Sequence, residues 1–404
     1  MLSRGLGDVY KRQFFNNERG FFMEDELTEV LEPDYYPLFR CKCGRCRVSC
    51  CGGWGISISM EEYFRLFGMD CTPALRDKMD RALHVLPDAS PERYAQLTCN
   101  WLGRCPIQRE DGYCGLQWEC GEQALPQVCR QYPRGLRNAF EAERACSNSC
   151  EATLELLFSR EQPITLRRVL AKAPPREGSL TPAQMDQQRS IRDGCLSELQ
   201  NRTLPLPVRL MRLGFALRAA DEAEAGGIQA QMEAGRQASA AFLPEQTPPP
   251  DTPRAFAIQQ KLVRLLALEH PAVQAEASAA LELFGNGPDA ADVYARTAAA
   301  FAEHYPKWEL WFEQMLVNHV LFEAFPYSDR RQDVHAAYAA LCATYALVRF
   351  LAIGCTAQRH DTTQLVDVCA AAFRLIAHTA FNWNAPIALG PDAEMDALWV
   401  LVQN

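Results

Sequence analysis

Apolar residues recur at helical spacing along the second half of the chain, from about residue 159 onward. In "LPVRLMRLGFALRAADEAEAGG" the leucines share one helical face and the arginines fall elsewhere, which is typical of an amphipathic helix. The expected apolar face consists of Leu206, Leu210, Leu213 and Leu217. Upstream, Thr181 and Gln184 in "LTPAQ" form a capping-box signal around Pro182, which suits a first helical turn. "KWELWFEQMLVNHVLFEAFP" and the segments after it carry the same spacing, so the pattern predicts an all-helical C-terminal region.

The first half follows a different pattern. Ile56 and Ile58 alternate with other residues in "GGWGISIS", which predicts a short strand, and Ser59 with Glu62 predicts the start of a helix. From Cys99 to Cys150 glycine and proline interrupt the chain, and little periodicity is left. Such a segment lacks a large apolar face and needs another source of stability.

Cysteine is the candidate for that source, because thirteen of the 17 cysteines lie between Cys41 and Cys150. Thiolates are the ligands that zinc and iron-sulfur clusters favour, usually four per site. The first residues lack the apolar core of a signal peptide, so we expect a cytoplasmic protein, in which clustered thiols are more often metal ligands than disulfides. Four later cysteines in apolar helical surroundings are expected to be core residues: Cys195, Cys342, Cys355 and Cys369.

The thiol spacing differs from two common metal motifs. The opening run, C-x4-C-x3-C-C, consists of Cys41, Cys46, Cys50 and Cys51. It lacks the paired C-x2-C of zinc ribbons, and Gly at position 53 breaks the C-x3-C-x2-C of radical enzymes. Adjacent side chains of an extended chain point in different directions, so Cys50 and Cys51 can serve different roles. The only histidine within residues 41–150 is His84, in "RALHVLP", where we expect helical neighbours. We therefore expect an iron-sulfur cluster, with zinc as the alternative.

Charge and hydropathy restrict the partners. The chain has 404 residues, 48% of them hydrophobic, and a net charge of -9, which argues against binding to nucleic acid. The longest apolar run, Ala336 to Cys355, is long enough to cross a bilayer but is rich in alanine and carries Arg349. We predict a buried helix there, no membrane span, and a protein as partner.

These patterns predict a mainly α protein, with an irregular cysteine-rich metal-binding N-terminal unit followed by an all-helical C-terminal region. The expected segments are an N-terminal tail (1–35), a cysteine-rich metal-cluster domain (36–158), a helical region (159–240), a proline-rich linker or loop (241–254) and a C-terminal helical domain (255–404). Residues 5–13, "GLGDVYKRQ", resemble the translation of a sequencing adapter. We therefore expect residues 1–13 not to be native and Met23 to lie nearer the natural start.

Four stretches carry a family resemblance: "FRCKCGRCRVSCCGGWGISIS", "GRCPIQREDGYCGLQWECGEQALPQVCRQYPR", "ERACSNSCEA" and "LVNHVLFEAFP". They resemble the bacterial flagellin lysine-N-methylases, which belong to a wider group of cysteine-cluster proteins described as zinc- or iron-chelating. The resemblance implies eight metal ligands: Cys41, Cys46, Cys50, Cys51, Cys105, Cys114, Cys129 and Cys150. Four cysteines are additional to the pattern: Cys43, Cys99, Cys120 and Cys146. Glu151 stands where the family carries proline.

The resemblance further implies an enzyme, a protein-lysine N-methyltransferase that moves methyl groups from S-adenosylmethionine to lysines of flagellin. A glycine-rich strand-loop-helix for this cofactor is not visible, and "FGNGPDAAD" is expected to be a turn, so the cofactor pocket is expected to be non-Rossmann. Candidates for orienting the lysine are Tyr113, Trp118, Glu119, Glu122 and Tyr132. Asn318 and His319 lie on an apolar helix and are expected to be structural.

Two other functions fit the same residues. The first is a non-catalytic iron-sulfur or zinc cluster protein whose helical domain binds a partner. The second is electron transfer through an iron-sulfur centre. Binding of S-adenosylmethionine separates methyl transfer from both.

Overall fold

The computed structural model of the chain describes residues 27–52, 55–101, 103–176, 179–223, 226–242, 249–327, 333–356 and 361–403. Residues 1–13 and Met23, on which the expected native start depends, lie outside the described residues. So do residues 243–248 of the predicted proline-rich segment.

Within these ranges the chain forms seven strands and sixteen α-helices. The strands are β1 (Thr28–Pro33), β2 (Ile56–Ile58), β3 (Leu83–Val85), β4 (Ala95–Leu97), β5 (Arg134–Asn138), β6 (Ala142–Cys146) and β7 (Leu166–Ala171). The helices of the first half are α1 (Met60–Phe67), α2 (Pro73–Ala82), α3 (Gly115–Cys120), α4 (Gln127–Gln131) and α5 (Glu151–Phe158). Those of the second half are α6 (Pro182–Leu199), α7 (Leu206–Glu222), α8 (Gly227–Ala241), α9 (Thr252–Leu262), α10 (Gln274–Phe284), α11 (Ala290–His304), α12 (Trp308–Glu323), α13 (Val334–Thr356), α14 (Thr362–His378), α15 (Phe381–Leu389) and α16 (Met395–Gln403). The prediction of a mainly α protein with a helical C-terminal region is confirmed. Strand β7 is an exception within the segment 159–240, because it pairs with β1 at the edge of the sheet.

Local sequence signals set the start of several helices. Ser59 and Glu62 form a capping box at α1, and Thr181 and Gln184 form another at α6, as the sequence predicts. The apolar face expected of α7 is buried at Leu206, Leu210, Leu213 and Leu217. Within "FGNGPDAAD" residues 285–289 connect α10 to α11 and form the expected turn, with Gly285 at φ 71°. Side-chain periodicity and capping therefore suffice to position these elements.

Helix α13 contains the longest apolar run. By length and composition it could span a membrane, and α14 with Phe381–Ala393 could form a second span bent by 95°. The most apolar window of α13 is 94% buried within the protein. Arg349 is also buried there, with its guanidinium 5.1 Å from the centre of the Trp308 ring and 3.4 Å from the Tyr294 hydroxyl. This burial favours the core helix that the sequence predicts.

A four-stranded mixed sheet lies against the helices in the order β5-β6-β1-β7. Strand β1 runs antiparallel to β7 and parallel to β6, and β5 with β6 forms an antiparallel pair. The Glu32 carboxylate of β1, fully buried, pairs with Arg144 of β6 and Arg167 of β7. One side chain thus ties three strands together across long separations in sequence.

The cysteine-rich unit has its own small core. A three-stranded sheet, β2-β4-β3, packs with α1 to α4 around Ile58, Leu66, Met79 and Leu97. Ile56 and Ile58 form the predicted strand. The expectation of helical neighbours for His84 is wrong, because α2 ends at Ala82 and His84 pairs with Gln96 in the sheet. A partner strand distant in sequence there overrides local helix propensity.

A second, much larger core joins the four-stranded sheet to α5 and the helices of the second half. Tyr35 and Phe39, which precede the first thiols, are buried in it, as is Cys146 of β6. The chain therefore leaves the large core at Phe39, forms the cysteine-rich unit, and returns to the large core near Cys146. The thiols lie where the two cores meet.

Candidate metal and active site

One cavity lies between the cysteine-rich unit and the helices, and ten cysteines line it. They include all eight ligands that the family resemblance implies, namely Cys41, Cys46, Cys50, Cys51, Cys105, Cys114, Cys129 and Cys150. The other two, Cys43 and Cys99, are additional to the family pattern. Thiols more than one hundred residues apart in the sequence thus face the same space.

The loop that carries the first five thiols is fixed by charged side chains. Glu151, buried at the start of α5, accepts hydrogen bonds from Lys42 Nζ at 2.6 Å and from the Val48 backbone N–H at 3.1 Å. Arg47 of the same loop pairs with Glu155 at 2.9 Å and with Asp367 of α14 at 2.9 Å. A proline at position 151 could not make these bonds. Glu151, which departs from the family pattern, is therefore paired with Lys42, which lies between Cys41 and Cys43.

A second group of contacts joins this loop to the later thiols. The Cys105 backbone N–H donates to the Cys51 carbonyl at 2.7 Å. Gln108 Nε2 donates to Ser49 Oγ at 3.1 Å and to the Gly112 carbonyl at 3.0 Å. Backbone and side-chain hydrogen bonds thus fix the spacing between the opening run and the turn before Cys114.

Two glycines allow the loops to approach. Gly112 has φ +85°, a left-handed conformation that costs little only for glycine. A Cβ atom on Gly112 would overlap the carbonyl oxygen of Gly44, in the loop that carries Cys43 and Cys46. The glycine in "REDGYCG" is therefore required by both its conformation and its contact.

We expect Gly112→Ala to lower the free energy of unfolding by about 2 kcal/mol or more, since left-handed backbone alone costs an L-residue about 1–2 kcal/mol. The overlap with Gly44 adds to that cost. Gly103→Ala is the matched control, because Gly103 has φ +72° but no atom within 4 Å of an added Cβ. Urea unfolding of the purified variants measures both, and equal losses would contradict a role for the loop contact.

Burial keeps most of these thiols protonated at neutral pH. It raises the pKa of Cys46 and of Cys105 to about 12. Cys51 differs, because hydrogen bonds with Cys50 and Ser49 lower its pKa to about 7. Several adjacent thiolates would repel one another in this space. A bound cation is the group that would stabilise them.

Charge interactions, which raise the thiol pKa values, indicate two groups of neighbours. The thiols that interact with Cys51 are Cys105, Cys114 and Cys129. The thiols that interact with Cys150 are Cys41, Cys46, Cys50 and Cys146, the last of which is buried in the large core. Cys50 also interacts with Cys51 and Cys129, so it lies at the boundary. The two groups therefore meet at the adjacent cysteines, Cys50 and Cys51.

The donor set fits a thiolate-bound metal, although no ligand geometry is formed. Across the residues that the structure describes, no group of three or more His, Cys, Asp or Glu side chains could hold a metal ion as placed. All 17 cysteines are described, and none of them is joined in a disulfide. Soft donors in this number are those that iron-sulfur clusters and zinc prefer. Metal binding by the eight thiols stays a prediction.

The remaining candidates are dispersed. Cys146 is buried in the large core, and the Cys120 thiol contacts the Asp70 carbonyl at 3.7 Å. Among the five side chains considered for orienting a lysine, all of them described, Tyr132 alone lines the cavity. Trp118 is 62% exposed beneath Arg109, and Glu119 accepts a hydrogen bond from Thr72 Oγ1 at 2.8 Å.

Sequence reasoning missed two cations that line the cavity, Lys42 and Arg374. Lys42 stands between two thiols, and Arg374 interrupts an apolar stretch of α14. A lone charge on an otherwise buried helix face is the signal that could have identified Arg374. Its position in the cavity depends on tertiary packing.

The helical region, which contacts the thiol loops, is similar to a known family of proteins. Residues 192–388 match a family model described as the FliB lysine N-methylase C-terminal domain. The match begins within α6 and ends within α15, so it lies beyond the eight thiols. This segment is similar to the lysine N-methylase family, in agreement with the resemblance that the sequence carries.

Named relatives agree with this class. The chain is 26% identical over 174 residues to the lysine-N-methylases of Salmonella typhimurium and Salmonella choleraesuis, a stretch covering 43% of this chain and 42% of each relative. It is 26% identical over 113 residues to the flagellar biosynthetic protein FliU of Salmonella muenchen, covering 27% of this chain and 63% of that protein. The chain thus spans less than half the length of the two methylases. No solved structure matches it.

Proposed function

We propose that the protein methylates lysine side chains of flagellin with S-adenosylmethionine as methyl donor, and that it acts in the cytoplasm. The observation that carries this proposal is the cavity, in which all eight thiols implied by the family face one space beside the family-matched helices. The name of the FliU relative as a flagellar biosynthetic protein supports a flagellar substrate.

The reaction itself asks for little acid-base machinery. The lone pair of a neutral lysine Nζ attacks the methyl carbon of the sulfonium, the carbon–sulfur bond breaks, and S-adenosylhomocysteine leaves as a neutral thioether. The methylated amine then loses a proton to water. What the protein must supply is alignment of donor and amine, together with surroundings that favour the uncharged amine.

Two features of the cavity support this proposal. Apolar side chains, including Ile56, Leu97 and Val128, form part of its wall and disfavour a charged lysine. Arg374 is a cation at the same cavity and would attract the carboxylate of the methyl donor. A single apolar pocket with a few convergent polar groups is the usual form of a small-molecule site.

We propose that the thiols bind an iron-sulfur cluster, with zinc as the alternative. The four neighbours Cys51, Cys105, Cys114 and Cys129 form one candidate ligand set. Cys41, Cys46, Cys50 and Cys150 form the other. Each set would supply the four thiolates that an iron-sulfur cluster or a zinc ion usually takes.

Mass spectrometry of flagellin tests the proposed activity. Protein purified without oxygen is incubated with S-adenosylmethionine and flagellin, and we expect lysine peptides to gain the mass of one or more methyl groups. A matched reaction with S-adenosylhomocysteine in place of the donor should give no gain. Absence of transfer with metal bound would contradict methylation, and absence of donor binding in calorimetry would favour the non-catalytic cluster protein.

The visible absorption spectrum of the same preparation distinguishes the metals. An iron-sulfur protein is brown and bleaches on reduction, whereas a zinc protein is colourless. Metal analysis of the sample then gives the number of ions per chain. A colourless protein that holds zinc would contradict the iron-sulfur assignment and leave the thiol site standing.

A further inference from the structure

The loop between β6 and α5 delivers Cys150 to the cavity and is unusual in its burial. Its first three residues, Ser147, Asn148 and Ser149, are all polar and at most 3% exposed. Buried polar groups are costly unless they are hydrogen-bonded. The partners of this loop therefore show what fixes Cys150.

Helix α12 supplies the first set of partners through Asn318. Its Nδ2 donates to the Cys146 carbonyl at 2.8 Å and to Asn148 Oδ1 at 2.7 Å. The Asn148 amide in turn donates to the Met315 carbonyl at 2.9 Å. The hydroxyl of Tyr35 donates to Asn318 Oδ1 and accepts from the Cys146 backbone N–H at 3.2 Å.

These contacts require an amide at position 318. One end of the side chain faces two oxygens and must donate twice, while the other end accepts. Aspartate has the same shape but no donor, so it would place a carboxylate against two acceptor oxygens. The specificity of the contact is thus chemical as well as steric.

Helix α14 supplies the second set through His378 and Arg374. His378 Nε2 lies 2.8 Å from Ser149 Oγ, which is also 3.0 Å from the Tyr132 hydroxyl. Arg374 donates to the Ser149 carbonyl at 3.3 Å and to the Val48 carbonyl at 2.9 Å. Burial lowers the pKa of His378 to about 3, so its ring is neutral at pH 7 and suits a hydroxyl partner.

The same hydrogen bonds connect the loop of Cys150 to other thiol loops of the site. Arg374 links the loop of Cys150 to the loop that carries Cys46 and Cys50, because it bonds the carbonyl of Val48. Tyr132, held by Ser149, lines the cavity three residues after Cys129. The helices of the second half therefore fix the relative position of thiol loops that have little core of their own.

We propose that Asn318 and His378 are positioning residues of the thiol site, which hold Cys150 in place for the metal. This inference rests on the proposed metal function. It also gives the helical region a definite task, because α12 and α14 complete a site whose thiols all lie in the first half of the chain. Partners behind metal ligands commonly alter metal affinity by about 10–100-fold.

Asn318→Asp tests the proposal, with His319→Gln as the matched control. His319 is the next residue on α12 and equally buried, but its ring packs on Phe373, 5.7 Å away between ring centres. We expect Asn318→Asp to weaken metal binding about tenfold or more and to change the visible spectrum, while His319→Gln keeps both. Wild-type metal content in Asn318→Asp, or equal metal loss in the two variants, would overturn the proposal.

Maleimide labelling of Cys150 separates this proposal from the metal itself. Peptide mass spectrometry of chelator-treated protein gives the labelling rate, which we expect to rise several-fold in Asn318→Asp and to stay at the wild-type value in His319→Gln. If wild-type protein binds no metal, the metal function fails, and unchanged labelling would also overturn the positioning role. Ser149→Ala, which removes the common partner of His378 and Tyr132, provides the same comparison should Asn318→Asp not fold.

Discussion

Cys114→Ser and Cys150→Ser variants, purified without oxygen, are expected to lose most of their metal and most of their soluble yield. Each removes a thiolate from one of the two neighbour groups at the cavity, and a serine hydroxyl does not replace it as a soft ligand. The cysteine-rich unit has only a small core, so metal binding would contribute directly to its folding. For structural zinc that contribution is about 10–16 kcal/mol, far above the effect of a lost side-chain contact.

Cys342→Ser serves as the control for this experiment. Cys342 is fully buried in α13, within the large core and away from the cavity. Its substitution should cost packing and the burial of a hydroxyl but leave the metal content at the wild-type level. Equal metal content in all three variants would contradict the ligand assignment.

Glu313→Gln is expected to lower the free energy of unfolding by about 3–5 kcal/mol, the cost of breaking a buried ion pair. The Glu313 carboxylate on α12 is 1% exposed and pairs with Arg209 at 2.6 Å and with Arg202 at 2.7 Å. Arg209 is itself buried, and the neutral amide would leave its charge without a carboxylate. These pairs join the start of α7 to the helix that carries Asn318.

Glu222→Gln is the matched control, since Glu222 pairs with Arg218 at 2.9 Å on the exposed surface of α7. Exposed pairs one helical turn apart contribute about 0.3–0.5 kcal/mol, so this variant should unfold nearly as the wild type does. Urea unfolding at neutral pH compares the two. A Glu313→Gln loss as small as that of Glu222→Gln would mean that the buried pair contributes little to stability.

Several helices in both halves of the chain could be predicted because their signals are local. The capping boxes at Ser59 and Thr181 and the buried leucines of α7 depend on residues within one or two turns of each other. His84 shows the limit of such reasoning. Its neighbours favour a helix, but a strand more than ten residues away takes them into a sheet.

The candidate site also contains some residues that the sequence identified and others that it did not. The family motifs identified the eight thiols, and the structure brings all of them to one cavity. Arg374 and His378 were not identified, because no motif near them in the sequence indicates a contact with the thiol loops. They lie more than two hundred residues after Ser149, which both of them contact.

The sequence by itself determined the helical class of the second half and carried the resemblance that singles out eight thiols, since periodicity, capping and motif spacing are properties of short segments. Only the tertiary structure decided that Asn318 and His378 hold the loop of Cys150, and that Glu151 anchors Lys42. Hydrogen bonds between distant segments form only after the two cores have packed together. For this reason the cysteine motifs alone could not predict which side chains surround the thiols.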